Sequence, residues 1–396
     1  MDYDVIVAGH ICLDIIPDMQ KNTNKNYETM FRPGSMITMG PATLAIGGPV
    51  PNTGLAMHIL DNKVRMVGKV GDDLFGNAVL DIIRSYGKNM ADSMVVDKDV
   101  KTSYTFVISL PNLDRFFMHC PGANDTFKVD DVDFSQVEKV KLFHFGYPPI
   151  MRTMYEDNGG RLSEMYRKAK QTGVTTSLDL AVPDPEAASG KADWMRILDM
   201  VLPFVDIFQP SIEEILYMVR RDLFFSFLEK SQNGDILPFI TPKILSEVSY
   251  LLMDMGAKTV AIKMGYRGLY LRTSDTRIIE MMGRAKPADP ASWANKEYWA
   301  PVFKVAAVGT TGAGDSTIAG FLSAVLRGMS PDQALMAANA VGACNVEAAD
   351  SLGGLRSWDA TMQRVAEGWE RGELVLDAPD WRYDPEMQLW IGPASR

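Results

Sequence analysis

The chain has 396 residues, 46% of them hydrophobic and 23% charged, so it is long enough to bury a large core and has an ordinary globular composition. Forty Lys and Arg against 50 Asp and Glu give a net charge of −10, and no block of like charge occurs, which argues against nucleic acid or an anionic membrane as partners. The N-terminal residues are acidic and no long apolar run occurs, so we expect a cytoplasmic protein without a membrane anchor.

The cysteines and histidines show no pattern of a disulfide framework or a metal site. The cysteines are odd in number and far apart, as in proteins of a reducing compartment: Cys12, Cys120 and Cys344. The histidines lack metal-ligand spacing, so we expect satisfied or surface side chains and no structural zinc: His10, His58, His119 and His144.

In chain order, short β-branched runs bounded by glycine alternate with longer amphipathic stretches. We predict strands at 3–9, 64–71, 141–146, 173–180, 205–210, 258–265 and 268–273. Helical segments between them end in C-cap glycines, as in LFGNAVLDIIRSYG and ILSEVSYLLMDMG. This alternation is typical of βαβ units and predicts an α/β fold with a doubly wound, mostly parallel sheet.

Two regions break this alternation, residues 11–46 and roughly 100–126. Both consist of short alternating segments with turn residues and little helical character. We predict that they form antiparallel strands of a small β-sheet lid over a cleft.

Three segments look like additions to a single domain covering 1–396: residues 221–240, residues 283–301 and a C-terminal extension at about 373–396. The last two are rich in aromatic residues: Trp293, Tyr298, Trp299, Trp381, Tyr383 and Trp390. We expect these rings to pack against the chain's own surface or a second subunit. Stacking on a ligand, mainly by the 283–301 loop, is the alternative.

The stretch GTTGAGDS at 309–316 is similar to a phosphate-binding loop, except that Asp315 occupies the lysine position. We predict a strand over VFKVAAV (302–308) and a helix after Asp315. The small residues between them leave backbone amides open to an anion at the helix N-terminus, with donors from Gly312, Ala313 and Gly314.

Asp315 has two interpretations. A carboxylate facing an alcohol acceptor takes its proton as the alcohol attacks a phosphoryl group, a contribution of about 10²- to 10⁴-fold. Alternatively, Asp315 caps a helix and has no role in chemistry.

Seven motifs occur in an order that resembles the ribokinase-like, PfkB-type carbohydrate kinase family from about residue 3 to 370. They are GHICLD (9–14), GGPVPN (47–52), VGKVGDDLFG (67–76), PGAN (121–124), PSIEE (210–214), KMGYRG (263–268) and TTGAGD (310–315). The resemblance implies a Rossmann-like three-layer α/β/α core with a β-lid. It also implies transfer of the γ-phosphate of ATP, with Mg²⁺, to a sugar or nucleoside hydroxyl.

On the substrate side, the resemblance implies that Asp14, Gly48 and Asn52 bind sugar hydroxyls, since a buried unpaired hydroxyl is costly. Asn52 also has the alternative of capping a helix that begins there. Arg115 covers the substrate or holds an anionic group of it, unless it is a surface arginine in a hairpin turn.

On the nucleotide side, Glu214 matches the glutamate of the family's N-x-x-E motif, which positions Mg²⁺ through water; the alternative is a solvated glutamate in a first helical turn. The remaining implied nucleotide-binding residues come from the 263–268 turn, the glycine loop and a later helix: Lys263, Gly265, Gly268, Thr311 and Asn339.

Two positions depart from the family pattern. Gly309 stands where members have an acid that helps to hold a monovalent cation, which makes K⁺ as a cofactor doubtful. Ser211 replaces the asparagine of N-x-x-E, so a metal-bound water is held less directly.

These observations favour an ATP-dependent sugar kinase with Asp315 as general base. The nearest rival is a nucleoside kinase with a base-stacking pocket in the lid, although aromatic residues such as Tyr104 and Phe106 would serve either acceptor. A catalytically weak sugar- or nucleotide-binding regulator is the second alternative. A dinucleotide oxidoreductase is disfavoured because no G-x-G-x-x-G turn follows the first strand. The resemblance also implies a homodimer formed through the lid.

Overall fold

The computed structural model describes residues 3–19, 27–30, 33–34, 36–110 and 115–395. The strands are β1 (Val5–Gly9), β2 (Cys12–Pro17), β3 (Ala42–Gly47), β4 (Val64–Val67), β5 (Lys69–Gly71), β6 (Val95–Asp97), β7 (Tyr104–Ile108), β8 (Phe116–Cys120), β9 (Leu142–Gly146), β10 (Thr175–Leu178), β11 (Ile207–Phe208), β12 (Thr259–Lys263), β13 (Leu269–Thr273), β14 (Glu297–Ala300), β15 (Arg382–Asp384) and β16 (Leu389–Ile391).

The α-helices are α1 (Tyr27–Met30), α2 (Pro49–Ile59), α3 (Leu74–Tyr86), α4 (Phe134–Val137), α5 (Arg152–Tyr155), α6 (Gly160–Gln171), α7 (Trp194–Val201), α8 (Ile212–Val219), α9 (Arg221–Lys230), α10 (Pro242–Asp254), α11 (Thr276–Ile279), α12 (Pro290–Trp293), α13 (Ala313–Leu326), α14 (Pro331–Asn345) and α15 (Trp358–Ala366). None of the helices in the described ranges is both long enough and apolar enough to cross a bilayer.

The main sheet has ten strands in the order β15-β16-β14-β13-β12-β11-β10-β9-β1-β4. The six strands from β12 to β4 pair in parallel, and the other four pair antiparallel. Every residue of β1, β9 and β10 is buried, because a hydrophobic cluster and its helices cover each face of the sheet. The predicted mostly parallel α/β sheet is confirmed.

A smaller sheet has the order β3-β2-β7-β8 and is built from the two regions that break the alternation. Residues 20–26, 31–32, 35 and 111–114 of those regions lie outside the described residues. β2 pairs antiparallel with β3 and parallel with β7, so the two chain pieces meet at the centre of the sheet. The predicted smaller sheet is confirmed, but the prediction that its strands are antiparallel is wrong for the β2–β7 pair, because these strands come from separate pieces of the chain. Its action as a lid stays a prediction.

The predicted strand over 302–308 is wrong. Phe303 forms an isolated bridge with Arg371, and no ladder continues from it within the described chain. Val308 is 66% exposed and donates its amide to the carbonyl of Val346 at 2.7 Å. A β-branched run has strand propensity, but it needs a free sheet edge to pair with, and none adjoins this one. The glycine loop therefore follows an irregular segment.

The three additional segments are part of the packed structure. Residues 221–240 contain α9, and 283–301 contain α12 and β14. Trp293 and Trp299 are only 1% and 0% exposed, so the expected packing against the chain itself is confirmed for these two rings and the alternative of ligand stacking is wrong. The tail adds β15 and β16 to the sheet edge, where Trp381 lies 6.4 Å from Trp299, ring centre to ring centre.

Candidate active site

The carboxyl ends of the parallel strands bring polar side chains together at one edge of the main sheet. Tyr147 directly follows β9, Asp179 directly follows β10, and Lys263 is the last residue of β12. Helix α13 begins at the same edge and carries Asp315 in its first turn. Ligands of open α/β sheets bind at this edge, so it is the candidate active site.

Asp315 is the most extensively hydrogen-bonded carboxylate at this edge, although it is only 3% exposed. The Asn52 amide donates to Oδ2 at 3.0 Å, and the Thr53 hydroxyl lies 3.4 Å from Oδ1. The Tyr147 hydroxyl lies 3.1 Å from Oδ1 and 3.0 Å from Oδ2. Burial raises the pKa of Asp315, although Lys263 and the hydrogen bonds from Asn52 and Tyr147 partly oppose that rise.

Asn52 is not the helix N-cap. Helix α2 begins at Pro49 with Gly48 as its N-cap, so Asn52 lies inside the helix and its amide is free to reach Asp315. Two prolines, Pro49 and Pro51, favour this earlier start, since proline is well suited to the first helical turn. The Asn52 Oδ1 atom is buried and has no partner among the described residues, which suits a donor from a ligand hydroxyl.

The glycine loop presents unpaired backbone amides at the start of α13. Gly312 is the N-cap with φ 73°, a conformation that favours glycine. The Ala313 amide donates to the carbonyl of Thr310 at 3.3 Å, whereas the described hydrogen bonds include none from the amides of Gly312 and Gly314. Asp315 does not cap the helix, so the capping interpretation is wrong, and the two unpaired amides are available to an anion.

Lys263 supplies the ammonium group that the glycine loop itself lacks. Its Nζ atom lies 2.6 Å from Oδ1 of Asp179, and a Cβ placed on Gly314 would lie 3.8 Å from it. Burial lowers the pKa of Lys263, but the carboxylates of Asp179, Glu214 and Asp315 outweigh that effect and its pKa ends above the ordinary value. The side chain stays charged beside the free amides.

Glu214 is neither solvated nor free. It is 8% exposed, its amide donates a hydrogen bond to the Ser211 hydroxyl oxygen at 3.2 Å, and its Oε2 accepts from the Ser211 amide at 2.6 Å. This reciprocal pair is a capping box at the start of α8, so the solvated alternative is wrong. The serine that departs from the family pattern thus serves to fix the glutamate.

Negative charge exceeds positive charge around Lys263. The carboxylates of Asp179, Glu214 and Asp315 all act on its single ammonium. The Oδ2 atom of Asp179 is buried without a partner in the part of the chain that the structure describes. A surplus of buried carboxylate oxygens fits a hard divalent cation such as Mg²⁺.

Asp14 lies on β2 of the smaller sheet, facing the start of α2. The Cys12 thiol donates to its Oδ1 at 3.3 Å, and burial raises the pKa of Asp14 to about 6. Gly48 has φ 96°, and a Cβ there would come within 2.6 Å of His10 Nδ1, so only glycine fits between the helix and the preceding loop.

Arg115 connects the smaller sheet with the glycine loop. Its Nη2 atom donates to the Thr310 hydroxyl at 3.4 Å across 195 residues of sequence. The guanidinium also lies 5.8 Å from the ring centre of Phe117. The side chain contacts the glycine loop from the smaller sheet, so it is not an isolated surface arginine.

Several of the predicted nucleotide-binding residues have contacts within the protein that by themselves account for the residue type at that position. A Cβ on Gly268 would lie 2.0 Å from the carbonyl oxygen of Ala300, and Gly265 has φ 50°. The Asn339 amide donates to the carbonyls of Ala300 and Pro301 at 3.1 and 3.2 Å. Thr311 is partly buried in the glycine loop. Their contact with a nucleotide stays a prediction.

Sequence reasoning missed Tyr147, Asp179 and Thr53. Asp179 was visible as an acid ending a buried strand, since polar residues at carboxyl ends of parallel strands often face a ligand. Tyr147 is held with φ 63°, a left-handed conformation that its sequence neighbours do not reveal. Thr53 follows Asn52 and carried no signal of its own.

The comparisons with known proteins point to one family of kinases. The pfkB family carbohydrate kinase profile matches residues 3–355. A probable fructokinase-6, chloroplastic, of Arabidopsis thaliana is 26% identical over 374 residues, which cover 91% of this chain and 82% of the relative. A fructokinase-2 of Zea mays is 26% identical over 320 residues, covering 80% and 78%.

Solved structures share the fold at low sequence identity. Arabidopsis thaliana ribokinase complexed with ribose and ATP has a TM-score of 0.67 at 17% identity, covering 92% of this chain and 98% of that one. A putative ribokinase II from E. coli in complex with ATP and Mg²⁺ has a TM-score of 0.65 at 18% identity, covering 92% of this chain and 99% of that one. A nucleoside kinase from Methanocaldococcus jannaschii has a TM-score of 0.61 at 18% identity, covering 93% of this chain and 99% of that one. These likenesses confirm the predicted ribokinase-like fold.

Proposed function

The chain belongs to the pfkB family of carbohydrate kinases and is a phosphotransferase with an alcohol group as acceptor, and we propose that ATP donates the phosphoryl group to a hydroxyl of a small sugar or sugar derivative. One observation carries this proposal: the buried Asp315 carboxylate lies beside unpaired amides of Gly312 and Gly314 and the Lys263 ammonium. The group that would take the proton of the acceptor hydroxyl thus lies next to the groups that would stabilise the negative charge of the transferred phosphoryl group.

Asp315 is the general base. The acceptor hydroxyl gives its proton to a carboxylate oxygen of Asp315 while its own oxygen forms a bond to the γ-phosphorus. The bond between that phosphorus and the bridging oxygen of ADP breaks, and ADP leaves. The hydrogen bonds from Asn52 and Tyr147 hold the carboxylate in one orientation for this transfer.

Charge on the transferring phosphoryl group is stabilised from the protein side by Lys263 and the amides of Gly312 and Gly314. The helix α13 N-terminus adds the positive end of its dipole. Asp179 orients the lysine through their 2.6 Å ion pair. Lys263 thus serves the role of the lysine in other phosphate loops, from a different strand.

Glu214 and Asp179 are the residues that would hold Mg²⁺, Glu214 through water. The ion supplies neutralisation of the nucleotide phosphates when it is bound. Asp14, Gly48 and the free Oδ1 of Asn52 bind the sugar hydroxyls, and Arg115 closes the smaller sheet over them.

A nucleoside is the second candidate acceptor, favoured by the ring pair of Tyr104 and Phe106 on β7. The rings lie 5.7 Å apart at 86°, and Phe106 is 36% exposed. Since bases stack on exposed aromatic faces, a nucleoside base would extend along this strand.

We further propose a cytoplasmic enzyme that forms a homodimer through the smaller sheet and does not require K⁺. Phe116, Phe117 and Met118 on β8 are 41%, 54% and 40% exposed, an apolar strand edge suited to a second copy. A Cβ on Gly309 would come within 2.9 Å of the Ala348 carbonyl, so no acid fits there to hold a cation.

The test is ADP release by the purified protein with Mg²⁺ over a panel of ketoses, aldoses, sugar acids and nucleosides, each with and without K⁺. We expect turnover with one sugar class, equal in both salts. Turnover with nucleosides alone selects the second candidate. ADP release that no acceptor stimulates contradicts the kinase proposal and leaves a binding regulator.

A further inference from the structure

Three soft-ligand side chains meet where the smaller sheet joins the main sheet. His10 follows β1, Cys12 begins β2, and His119 lies on β8, 109 residues away from His10. One ligand atom from each lies within 4.8 Å of the other two. The sequence spacing gave no indication of this cluster, because His119 is brought to the other two by the pairing of β8 with β7 and of β7 with β2.

The spacing of the two imidazoles matches that of ligands around one metal ion. His10 Nε2 and His119 Nε2 lie 3.4 Å apart. Two nitrogens bound to a tetrahedral zinc ion at about 2.05 Å stand roughly 3.3–3.4 Å from each other. Both nitrogens therefore need almost no movement to share an ion.

The surroundings orient the ligand atoms towards one another. Thr105 Oγ1 lies 2.9 Å from His119 Nδ1 and 3.5 Å from Cys12 Sγ. When Nδ1 of His119 carries the proton and donates it to Thr105, Nε2 of the same ring has its lone pair free and directed towards His10. This is the outer hydrogen bond that metal-bound histidines commonly make. His10 is 2% exposed, and its Nδ1 atom has no partner within the described ranges.

We propose that His10, Cys12 and His119 form a binding site for a zinc-class divalent ion. Two imidazoles and one thiolate are a ligand set that prefers Zn²⁺ or Co²⁺ to Mg²⁺ or Ca²⁺. The Cys12 thiol releases its proton to solvent as the Sγ–metal bond forms, and the two neutral imidazoles donate lone pairs. Three protein ligands leave a fourth position for water. A bound ion ties β8 to the loop after β1.

The test is titration of the metal-free, full-length protein with Co²⁺ alone, followed by absorption spectroscopy. We expect one equivalent to bind, with a thiolate-to-cobalt charge-transfer band, and Zn²⁺ to displace it. Cys12→Ser should abolish the band and weaken Zn²⁺ binding by about 100-fold or more, and His119→Gln by about 10- to 100-fold. Zn²⁺ should also raise the Tm of the wild-type protein but not of these variants.

Cys120→Ser is the matched control, since this thiol neighbours His119 on the same strand but is outside the cluster. It should keep the band and the affinity. If the Cys12→Ser protein does not fold because this residue is buried, the Zn²⁺ affinity of His119→Gln, a change on the exposed strand, tests the proposal instead. A wild-type protein without the band, or a band lost in Cys120→Ser and kept in Cys12→Ser, overturns the proposal. No step requires ATP or a sugar, so failure here is distinct from failure of the kinase proposal.

Discussion

The Tyr147 hydroxyl reaches both carboxylate oxygens of Asp315, at 3.1 and 3.0 Å, across 168 residues of sequence. Together with Asn52 and Thr53 it occupies the carboxylate before any acceptor arrives. An incoming hydroxyl must therefore share Asp315 with Tyr147 or displace it. This contact orients the carboxylate of Asp315, the proposed base, and opposes the rise of its pKa.

Replacing Asp315 with asparagine should lower kcat by at least about 10²-fold, because the amide keeps the shape but cannot accept the acceptor's proton. Nucleotide affinity should change little, since the amides of Gly312 and Gly314 remain. Steady-state kinetics and an ATP-binding titration measure the two effects separately. Asp184→Asn, in an exposed loop, is the control. Near-normal turnover in Asp315→Asn would remove the base from the mechanism.

Tyr147→Phe should move the acidic limb of the kcat/KM profile to higher pH. Asp315 works as the carboxylate, its pKa is already raised by burial, and the hydrogen bond from Tyr147 opposes that rise. Losing the bond raises the pKa further, so activity is lost at a higher pH as the solution is acidified. At alkaline pH kcat should fall by no more than about tenfold.

The control for this pH experiment is Tyr250→Phe, since Tyr250 is 63% exposed and belongs to a distant helix. Its profile should overlay that of the wild type. An unshifted acidic limb in Tyr147→Phe contradicts the assigned role of this tyrosine.

Lys263→Met should lower both stability and activity, for different reasons. The methionine leaves the buried Asp179 carboxylate unpaired, a loss of about 3–5 kcal/mol in the free energy of unfolding. Adding Asp179→Asn removes that charge, so the double variant should recover much of the stability in urea unfolding. It should stay at least about 10²-fold slow, since it lacks the ammonium proposed to lie beside the phosphates and also a carboxylate proposed to hold Mg²⁺. Joint recovery of rate and stability would mean that Lys263 has only a structural role.

Arg115→Gln should raise KM for the acceptor by up to about tenfold and increase ADP release in its absence. The bond to Thr310 holds the smaller sheet over the glycine loop, and a looser closure admits water to the γ-phosphate. Thr310→Val should act in the same direction. Arg161→Gln, on the exposed side of α6, should leave both quantities unchanged. If neither Arg115→Gln nor Thr310→Val changes the KM for the acceptor or the ADP release without acceptor, the closing role is contradicted.

Activity should differ by less than about twofold between K⁺ and a bulky organic cation at equal ionic strength. Gly309→Asp should not create a K⁺ response, because its Cβ meets the backbone of Ala348 and Ala349 at 2.9–3.0 Å. Overpacking of this kind lowers stability by roughly 1–3 kcal/mol. A strong K⁺ activation of the wild type would show that another group holds the cation.

Much of the fold was predictable because its signals are local. Alternating β-branched and amphipathic segments define βαβ units without reference to distant residues. The strand predicted over 302–308 failed for the opposite reason: pairing depends on a partner edge, which no local pattern reveals. Packing of Trp293 and Trp299 against protein was expected, but only the structure decided between the chain's own core, a second subunit and a ligand, since the local sequence is the same in all three cases.

The sequence by itself determined the glycine-rich helix N-terminus and the aspartate that follows it, because short-range backbone geometry requires small residues there. Only the tertiary structure decided what surrounds that aspartate. Tyr147 and Asp179 directly follow β9 and β10, Lys263 is the last residue of β12, and parallel pairing through β11 brings these strand ends to one edge of the sheet. His119 reaches His10 only through the smaller sheet. Contacts between residues far apart in sequence arise from the packing of whole elements, so the types of the individual residues do not reveal them.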